Sequence, residues 1–270
     1  MTTSTALDSL DDVDAIFERF HVSGAAPGFA YGVVIDGALV HTGGRGTLRV
    51  GEVEPPDADS VFRIASMTKS FTAATILGLR DEGVVRLEDD VATWVPELSG
   101  LTPWSSDSPP ITLRALLTMS AGLPTDDPWG DRQQDLAADA FLGLLKGGLE
   151  LAWPAGTRFE YANLGFAILG LVIARAAGSE YRAVVEDRIL GPLRLGGTGF
   201  DAAHVEPERL AHGYVKHGDD WIEQPTAAHG AFAPMGGLFS TVRDLATWAG
   251  WLAAAFPPRD DPDEARPLAR

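Results

Sequence analysis

Near the start of the chain, apolar residues recur every three or four positions. Between residues 7 and 20 they stand at Leu10, Val13, Ile16, Phe17 and Phe20. On an α-helix these positions form one stripe, and the polar residues between them fall on the opposite side. The pattern predicts an amphipathic helix that packs one face against a larger body.

Two short β-prone runs follow, at residues 28–35 and 38–42. The dipeptide Asp36-Gly37 lies between them and favours the positive φ angles of a tight hairpin turn. We therefore predict two antiparallel strands in this region. After a polar, turn-rich stretch, the apolar run 61–64 leads into the next helical pattern.

From residue 66 to residue 79, apolar residues surround a helix on nearly every side, which is typical of a buried helix. Gly83 is placed to end this helix. From residue 96 to about residue 195, helical patterns are separated by Pro and Gly, and no run alternates like a strand for long. The helices predicted there cover residues 113–118, 136–145, 164–177 and 181–189. We expect this region to be a helical insertion.

The last part of the chain predicts a small hairpin and one more helix. The hairpin covers residues 213–215 and 220–222. The helix covers residues 241–255, where Thr241 and Asp244 have the spacing of a capping box. Each of these two elements is predicted only from residues that are close together in the sequence.

These elements suggest how the chain is divided into domains. We expect residues 1–75 to form the first part of an α/β domain, with the N-terminal helix, the hairpin and the start of the helix at residue 66. Residues 76–222 are expected to form a mainly helical domain, and residues 223–258 to return to the α/β domain. Residues 259–270 are charged and contain proline, so they are predicted to be a disordered tail.

Composition excludes several classes of function. The 270-residue chain has a net charge of −17 and a pI near 4.6, which argues against a nucleic-acid or anionic-membrane partner because both require concentrated positive charge. It contains no cysteine, so disulfides, thiol nucleophiles and cysteine metal sites are excluded. Its six histidines show no metal-binding spacing such as His-Glu-x-x-His, so no metal is predicted.

The chain shows no pattern of a secretory signal or a transmembrane helix. Its first twenty residues are acidic and lack an apolar core. The longest apolar stretch, at residues 164–174, is shorter than the ~20 residues needed to cross a bilayer. We expect a soluble, cytoplasmic protein that acts on a small molecule or a peptide, and the sequence leaves its oligomeric state open.

The candidate chemistry begins at Ser66-Met67-Thr68-Lys69. If Ser66 opens the buried helix, its hydroxyl lies near unpaired backbone N–H groups, and Lys69 lies one turn further on the same face. A lysine held in a pocket can act as a base toward serine, whereas an arginine stays charged. The chain has three lysines against eighteen arginines, which makes Lys69 unusual. The alternative is an N-cap serine followed by a solvated lysine.

The second candidate element is Tyr161-Ala162-Asn163, just before the apolar run at residue 164. A tyrosine beside a lysine ammonium is held closer to phenolate, which would let it take the serine proton and later return one to a leaving group. Asn163 offers a donor and an acceptor for a substrate amide. The alternative for Tyr161 is an amphipathic residue packed at a domain seam.

Together, these two motifs resemble those of the serine β-lactamase-like hydrolases. In the branch with class C β-lactamases, penicillin-binding proteins, esterases and D-aminopeptidases, Tyr-x-Asn replaces a Ser-Asp-Asn element. Two further segments look like motifs of this family, namely Leu116-Leu117-Thr118-Met119-Ser120-Ala121-Gly122-Leu123-Pro124 and Pro234-Met235-Gly236-Gly237-Leu238-Phe239-Ser240-Thr241. The resemblance runs from about residue 8 to residue 256.

The resemblance implies a β-lactamase/transpeptidase-like α/β (α+β) fold, with an antiparallel sheet flanked by helices and a helical domain. It implies Ser66 as the acylated nucleophile, with its backbone N–H as one oxyanion donor. Lys69 and Tyr161 would be the coupled base, and Asn163 would contact both the substrate and Lys69. His229 is a candidate substrate contact, because by resemblance its segment lies close to the cleft. The implied substrate is an ester, a D-amino-acid amide or a β-lactam, with no cofactor.

One element of the family is not found. A Lys-Thr-Gly or His-x-Gly strand should follow the Gly236-Gly237 segment by many residues, and the chain ends first. Lys216-His217-Gly218 and His229-Gly230-Ala231 look like it, but both lie upstream of that segment. We therefore expect C-terminal strands to be missing. The alternative function is a non-catalytic ligand-binding member of the family, or a truncated fragment without the third active-site motif.

Overall fold

The computed structural model describes residues 3–226 and 228–254. In chain order the helices and strands are α1 (Thr3–Val22), β1 (Gly28–Ile35), β2 (Ala38–Gly46), β3 (Phe62–Arg63), α2 (Thr68–Asp81), α3 (Val91–Trp94), α4 (Leu113–Leu117), α5 (Ala138–Lys146), α6 (Asn163–Ala177), α7 (Tyr181–Val185), β4 (Gly213–His217), β5 (Asp220–Gln224), α8 (Ala233–Gly236), β6 (Phe239–Ser240) and α9 (Val242–Ala254). The predicted disordered tail, residues 259–270, lies outside the described residues.

The described residues divide into two compact units. The first unit contains residues 3–63, 195–226 and 239–254, and the second contains residues 64–194 and 228–238. The predicted domain division, with limits at residues 75, 222 and 258, stays a prediction, and residue 258 lies outside the described residues. The whole of α2 belongs to the second unit because it packs against α6 and α8, and the β4–β5 hairpin belongs to the first unit.

In the first unit, the β1–β2 hairpin lies between two helices. Its turn has positive φ angles of 49° at Asp36 and 77° at Gly37, as the Asp-Gly pair predicts. On one face the ring of Phe17, from α1, stacks on Tyr31 with the ring centroids 3.8 Å apart. The next residue, Gly32, faces Val242 of α9 so closely that a Cβ would come within 2.7 Å of its side chain. Successive strand residues point to opposite faces, so α1 and α9 cover the two sides of the hairpin.

The named strands form three antiparallel pairs, β1 with β2, β3 with β6, and β4 with β5. The antiparallel pairing agrees with the expected fold class. In the described residues each of these pairs is a two-stranded sheet. The β4–β5 hairpin confirms the predicted one, with Gly218 in its turn at a φ angle of 62°.

The second unit is built around α2 and α6. Phe71, Ile76 and Leu79 of α2 are fully buried, which confirms the prediction of a buried helix. The predicted helix at residues 164–177 begins one residue earlier, at Asn163, and Gly178 ends it in the left-handed region. Among the described residues, no single helix combines the length and apolar composition needed to cross a membrane. The segments Asn163–Ala177 and Tyr181–Leu190, bent by 75°, meet that test only when taken together.

An ion pair fastens the C-terminal half of α6 to the segment that follows α3. Arg175 donates from Nη1 to Glu97 Oε2 at 2.8 Å and from Nη2 to Glu97 Oε1 at 2.9 Å. Nη1 also donates to the backbone oxygen of Trp94. The hydrogen bonds from Arg175 lower the pKa of Glu97 from its ordinary value of 4.5 to about 2. Because the guanidinium and the carboxylate share two hydrogen bonds, this contact is stronger than an ordinary surface ion pair.

We expect Glu97→Gln to lower the free energy of unfolding by about 2 kcal/mol at pH 7. Because the pKa of Glu97 is lower in the folded state, the folded protein binds fewer protons there than the unfolded chain. The contribution of the pair is therefore complete above about pH 5 and is lost as the pH falls toward 2. Urea denaturation of both proteins at pH 7 and pH 3 measures this difference, which we expect to shrink at pH 3.

The matched control is Glu88→Gln, which removes the carboxylate from the exposed pair that Glu88 forms with Arg114. We expect this change to alter stability by less than about 0.5 kcal/mol, because water already solvates both partners. An equal loss for Glu97→Gln at both pH values would contradict the assignment.

Candidate active site

Ser66 lies in a short 3-10 turn, Ala65–Met67, immediately before α2. The sequence predicted that Ser66 opens the helix itself, but α2 begins at Thr68. The reason is the backbone at Ala65, whose φ angle of 45° turns the chain sharply before the helix can start. The Ser66 residue is exposed. Within the described residues, the backbone N–H of Ser66 donates to no acceptor.

The Ser66 turn is held by the Gly236-Gly237 segment of the same unit. The backbone N–H of Ile64 donates to the oxygen of Leu238 at 2.9 Å. In return, the backbone N–H of Leu238 donates to Thr68 Oγ1 at 3.1 Å. These two bonds lie on either side of Ser66 in the sequence. They explain how a segment about 170 positions further along the chain fixes the geometry of the serine.

Two polar groups reach the same serine oxygen. The Tyr161 hydroxyl donates to Ser66 Oγ at 2.7 Å, and Lys69 Nζ donates to that oxygen at 3.0 Å. Tyr161 lies just before α6, and Lys69 lies in the first turn of α2. The structure thus brings together Ser66, Lys69 and Tyr161, which the sequence had selected as nucleophile and coupled base.

Lys69 is buried, with 7% of its surface exposed, and all three donors of its ammonium group have an acceptor. Besides Ser66 Oγ, these acceptors are Asn163 Oδ1 at 2.8 Å and the backbone oxygen of Met235 at 2.9 Å. Nζ also lies 4.9 Å from the ring centroid of Tyr161. A buried polar group is costly unless it is hydrogen-bonded, and neutral side-chain and backbone oxygens supply these hydrogen bonds to Lys69.

Asn163 is the first residue of α6 and is fully buried. Its backbone N–H donates to Asp126 Oδ1 at 2.8 Å, and the N–H of Leu164 donates to Asp126 Oδ2 at 2.7 Å. Its side-chain Nδ2 donates to Asp127 Oδ1 at 2.5 Å. Sequence analysis missed both aspartates. An adjacent acidic pair in a loop carries no local sign that it binds the start of a helix 37 positions later.

His229 and Lys216 belong to the two lookalikes of the third motif, and their contacts in the described residues are with other groups. Nε2 of His229 contacts Nη1 of Arg182, and no contact among the described residues joins His229 to Ser66, Lys69 or Tyr161. Its role in binding substrate stays a prediction. Lys216 belongs to β4 in the other unit, where its Nζ donates to the backbone oxygen of Gly24. The described residues contain no cluster of three or more His, Cys, Asp or Glu that could hold a metal.

The hydrogen bonds at Ser66 limit how its proton can leave. In the arrangement seen, Ser66 Oγ accepts a hydrogen bond from Tyr161 and another from Lys69. Each of these groups therefore directs a hydrogen, and not a lone pair, at the serine oxygen. If Ser66 is to act as a nucleophile, one of these two bonds must reverse, with a phenolate or a neutral amine accepting the proton of Ser66. Either group is within reach of that proton, and the geometry is that of a nucleophile with an adjacent base.

A sequence profile described as Beta-lactamase matches residues 13–268 of the chain. The chain belongs to the beta-lactamase family. It is 30% identical over 244 residues to Beta-lactamase-like protein 2 of Dictyostelium discoideum, and the aligned region covers 88% of this chain and 44% of that protein. It is also 30% identical over 248 residues to the D-alanyl-D-alanine-carboxypeptidase/endopeptidase AmpH of Escherichia coli K12, covering 88% of this chain and 60% of AmpH.

Solved structures of this family share the fold. A penicillin-binding protein homologue from Pyrococcus abyssi, described as octameric, superposes with a TM-score of 0.79 at 25% identity, covering 91% of this chain and 56% of that one. A Beta-lactamase/D-alanine carboxypeptidase from Yersinia pestis superposes with a TM-score of 0.69 at 28% identity, covering 83% of this chain and 62% of that one. The fold is therefore β-lactamase/transpeptidase-like, as expected. The chain spans about half the length of the curated relatives it matches.

The positive φ angle at Ala65 generates a stability prediction. We expect Ala65→Gly to raise the free energy of unfolding by roughly 0.5–1 kcal/mol, because glycine removes the Cβ clash of left-handed backbone but makes the unfolded chain more flexible. Ala183→Gly, at an exposed position of α7 with ordinary helical backbone, is the control and is expected to lower stability by about 1 kcal/mol. Thermal and urea unfolding measure both changes. A loss of stability in Ala65→Gly would show that its backbone is unstrained.

Proposed function

We propose that the chain is a serine hydrolase that forms an acyl-enzyme at Ser66. The observation that carries this proposal is that the hydroxyl oxygen of an exposed serine lies within 3.0 Å of both a buried lysine amine and a tyrosine hydroxyl. An isolated serine hydroxyl is a weak nucleophile, and an adjacent base is what activates it. Membership of the beta-lactamase family supports the same reading.

In the proposed first step, Ser66 Oγ bonds to a carbonyl carbon of the substrate while its proton passes to the base. The base is Tyr161 as phenolate or Lys69 as neutral amine, since both lie next to Oγ. The bond to the leaving group then breaks, and the same base returns the proton to it. A water molecule hydrolyses the resulting ester at Ser66 by the reverse sequence, which restores the serine hydroxyl.

The backbone at Ser66 offers one stabilising contact for the negative charge that develops on the carbonyl oxygen. Its N–H has no acceptor within the described residues and lies at the start of a helix, where backbone N–H groups favour negative charge. We propose this N–H as one oxyanion donor. Losing one such donor typically slows an acyl transfer about 10²- to 10³-fold, so the contribution of the Ser66 turn is large.

The proposed substrate is a peptide or amide of a D-amino acid. AmpH is named a D-alanyl-D-alanine-carboxypeptidase/endopeptidase and the Yersinia pestis protein a Beta-lactamase/D-alanine carboxypeptidase, and both relatives match more than four fifths of this chain. Asn163 does not choose the substrate in this arrangement, because it is fully buried and both ends of its side-chain amide are bonded, to Lys69 and to Asp127. Esters and β-lactams present the same electrophilic carbonyl and are the two substrates that the test must compare.

Covalent labelling tests the nucleophile. We expect a fluorophosphonate or a penicillin to add one adduct at Ser66, located by peptide mass spectrometry, and Ser66→Ala to abolish it. Lys69→Ala and Tyr161→Phe are each expected to slow labelling by about 10²- to 10⁴-fold, because each removes a group that can accept the serine proton. The control is Ser70→Ala, one turn further along α2, which is expected to keep both the adduct and its rate.

Turnover separates a hydrolase from a ligand-binding member of the family. The 270-residue chain is assayed with p-nitrophenyl acetate, nitrocefin and a D-alanyl-D-alanine peptide. Product release that is lost in Lys69→Ala supports the hydrolase, and the substrate with the highest kcat/KM identifies the class. An adduct at a residue other than Ser66, or labelling that survives Ser66→Ala, would refute the proposal.

A further inference from the structure

The orientation of the Asn163 side-chain amide decides whether Lys69 is satisfied. An amide presents an oxygen acceptor at one end and an NH₂ donor at the other, and the two ends have nearly the same shape. With Oδ1 toward Lys69 the contact is a hydrogen bond of 2.8 Å. If the amide were rotated by half a turn, its donor would face the donors of the ammonium group, and the bond would become a repulsion.

The loop that contains Asp127 fixes this choice. Asp127 Oδ1 accepts from Asn163 Nδ2 at 2.5 Å. A carboxylate only accepts hydrogen bonds, so it holds the NH₂ end and turns the oxygen toward Lys69. Asp127 is itself exposed, whereas Asn163 is fully buried, so the contact reaches from the surface into the site.

Gly130 of the same loop closes on the amide from another side. A Cβ on Gly130 would lie 2.7 Å from Cβ and 3.0 Å from Nδ2 of Asn163, so only a glycine fits there. The backbone N–H of Gly130 donates to the oxygen of Asp126 at 2.7 Å, which folds the loop into a turn. We call residues 126–130 the amide loop. It also holds the backbone of Asn163 through the Asp126 carboxylate.

We propose that Asp127 is a positioning residue, which acts through the Asn163 amide to hold Lys69 in contact with Ser66. This inference rests on the proposed function, because the rate that Asp127 is expected to change is the rate of reaction at Ser66. It assigns no contact between Asp127 and the substrate. The path runs from Asp127 Oδ1 to Asn163 Nδ2, and from Asn163 Oδ1 to Lys69 Nζ, which lies 3.0 Å from Ser66 Oγ.

The expected size of the effect follows from the kind of bond. Hydrogen bonds to charged groups are worth more than neutral ones, but water can partly replace an exposed acceptor. We therefore expect Asp127→Ala to slow labelling of Ser66 about tenfold. Asp127→Asn keeps an oxygen acceptor for Nδ2 and loses only the charge, so we expect it to retain most of the rate.

The decisive experiment is a double-mutant cycle on labelling rates in the full chain, with Asp127→Ala, Asn163→Ala and the double variant. If Asp127 acts through Asn163, Asp127→Ala slows labelling in the parent protein but has no further effect when Asn163 is already alanine. Asp90→Ala is the control, because Asp90 accepts from the Ala92 N–H at the start of α3 and its loss tests general destabilisation. Thermal unfolding of each variant checks that it is folded.

A second measurement does not depend on catalysis. The side-chain NH₂ signal of Asn163 in a ¹H–¹⁵N NMR spectrum is identified by its absence in Asn163→Ala. We expect this signal to be protected from solvent exchange in the parent protein and in Asp127→Asn, and to lose protection in Asp127→Ala. If the parent protein is not labelled at all, the proposed function fails, and the NMR signal alone decides the positioning contact.

Three results would overturn the inference. The first is an unchanged labelling rate in Asp127→Ala. The second is an equal loss of rate in the parent and in the Asn163→Ala background, which would mean that Asp127 acts by another route. The third is an Asn163 NH₂ signal whose protection does not change when Asp127 is replaced. The control variant Asp90→Ala is expected to keep the parent labelling rate. If it loses as much rate as Asp127→Ala does, that result also counts against a specific role for Asp127.

Discussion

A buried ammonium group needs three acceptors, and the second unit supplies them to Lys69 from three segments of the chain. One is the serine in the turn just before the same helix, one is the side chain that begins α6, 94 positions away, and one is a backbone oxygen of α8, 166 positions away. Leaving such a charge unpaired in the interior costs several kcal/mol. The packing of α2 against α6 and α8 and the placing of the serine therefore depend on the same three bonds.

Two of these three acceptors lie at or just before the start of a helix. Ser66 lies in the turn before α2, Asn163 is the first residue of α6, and Met235 belongs to the short helix α8. Side chains near a helix start meet unpaired backbone N–H groups, which hold carboxylates such as that of Asp126. The Asp126 carboxylate thus stabilises the start of α6 and at the same time holds Asn163 beside the lysine.

Local patterns in the sequence were sufficient for many of the elements and for four residues of the site, namely Ser66, Lys69, Tyr161 and Asn163. The Asp36-Gly37 turn, the buried α2 helix and the Ser66–Lys69 spacing each depend on residues that are close in the chain, and the structure contains all of them. Asp127 could not be found in this way, because its partner Asn163 lies 36 positions away. The short turn at Ser66 was missed for another reason. It depends on a left-handed alanine, which no residue preference predicts.

The third acceptor of Lys69 has a consequence for how such sites are recognised. Because Met235 contributes its backbone oxygen, the identity of its side chain does not enter the bond. Any residue that fits this buried position can supply the same oxygen, provided that the glycines after it keep the backbone path. A search for related sites that compares side chains alone would therefore overlook one third of the shell around the lysine, whereas a comparison of backbone oxygens around Nζ would find it.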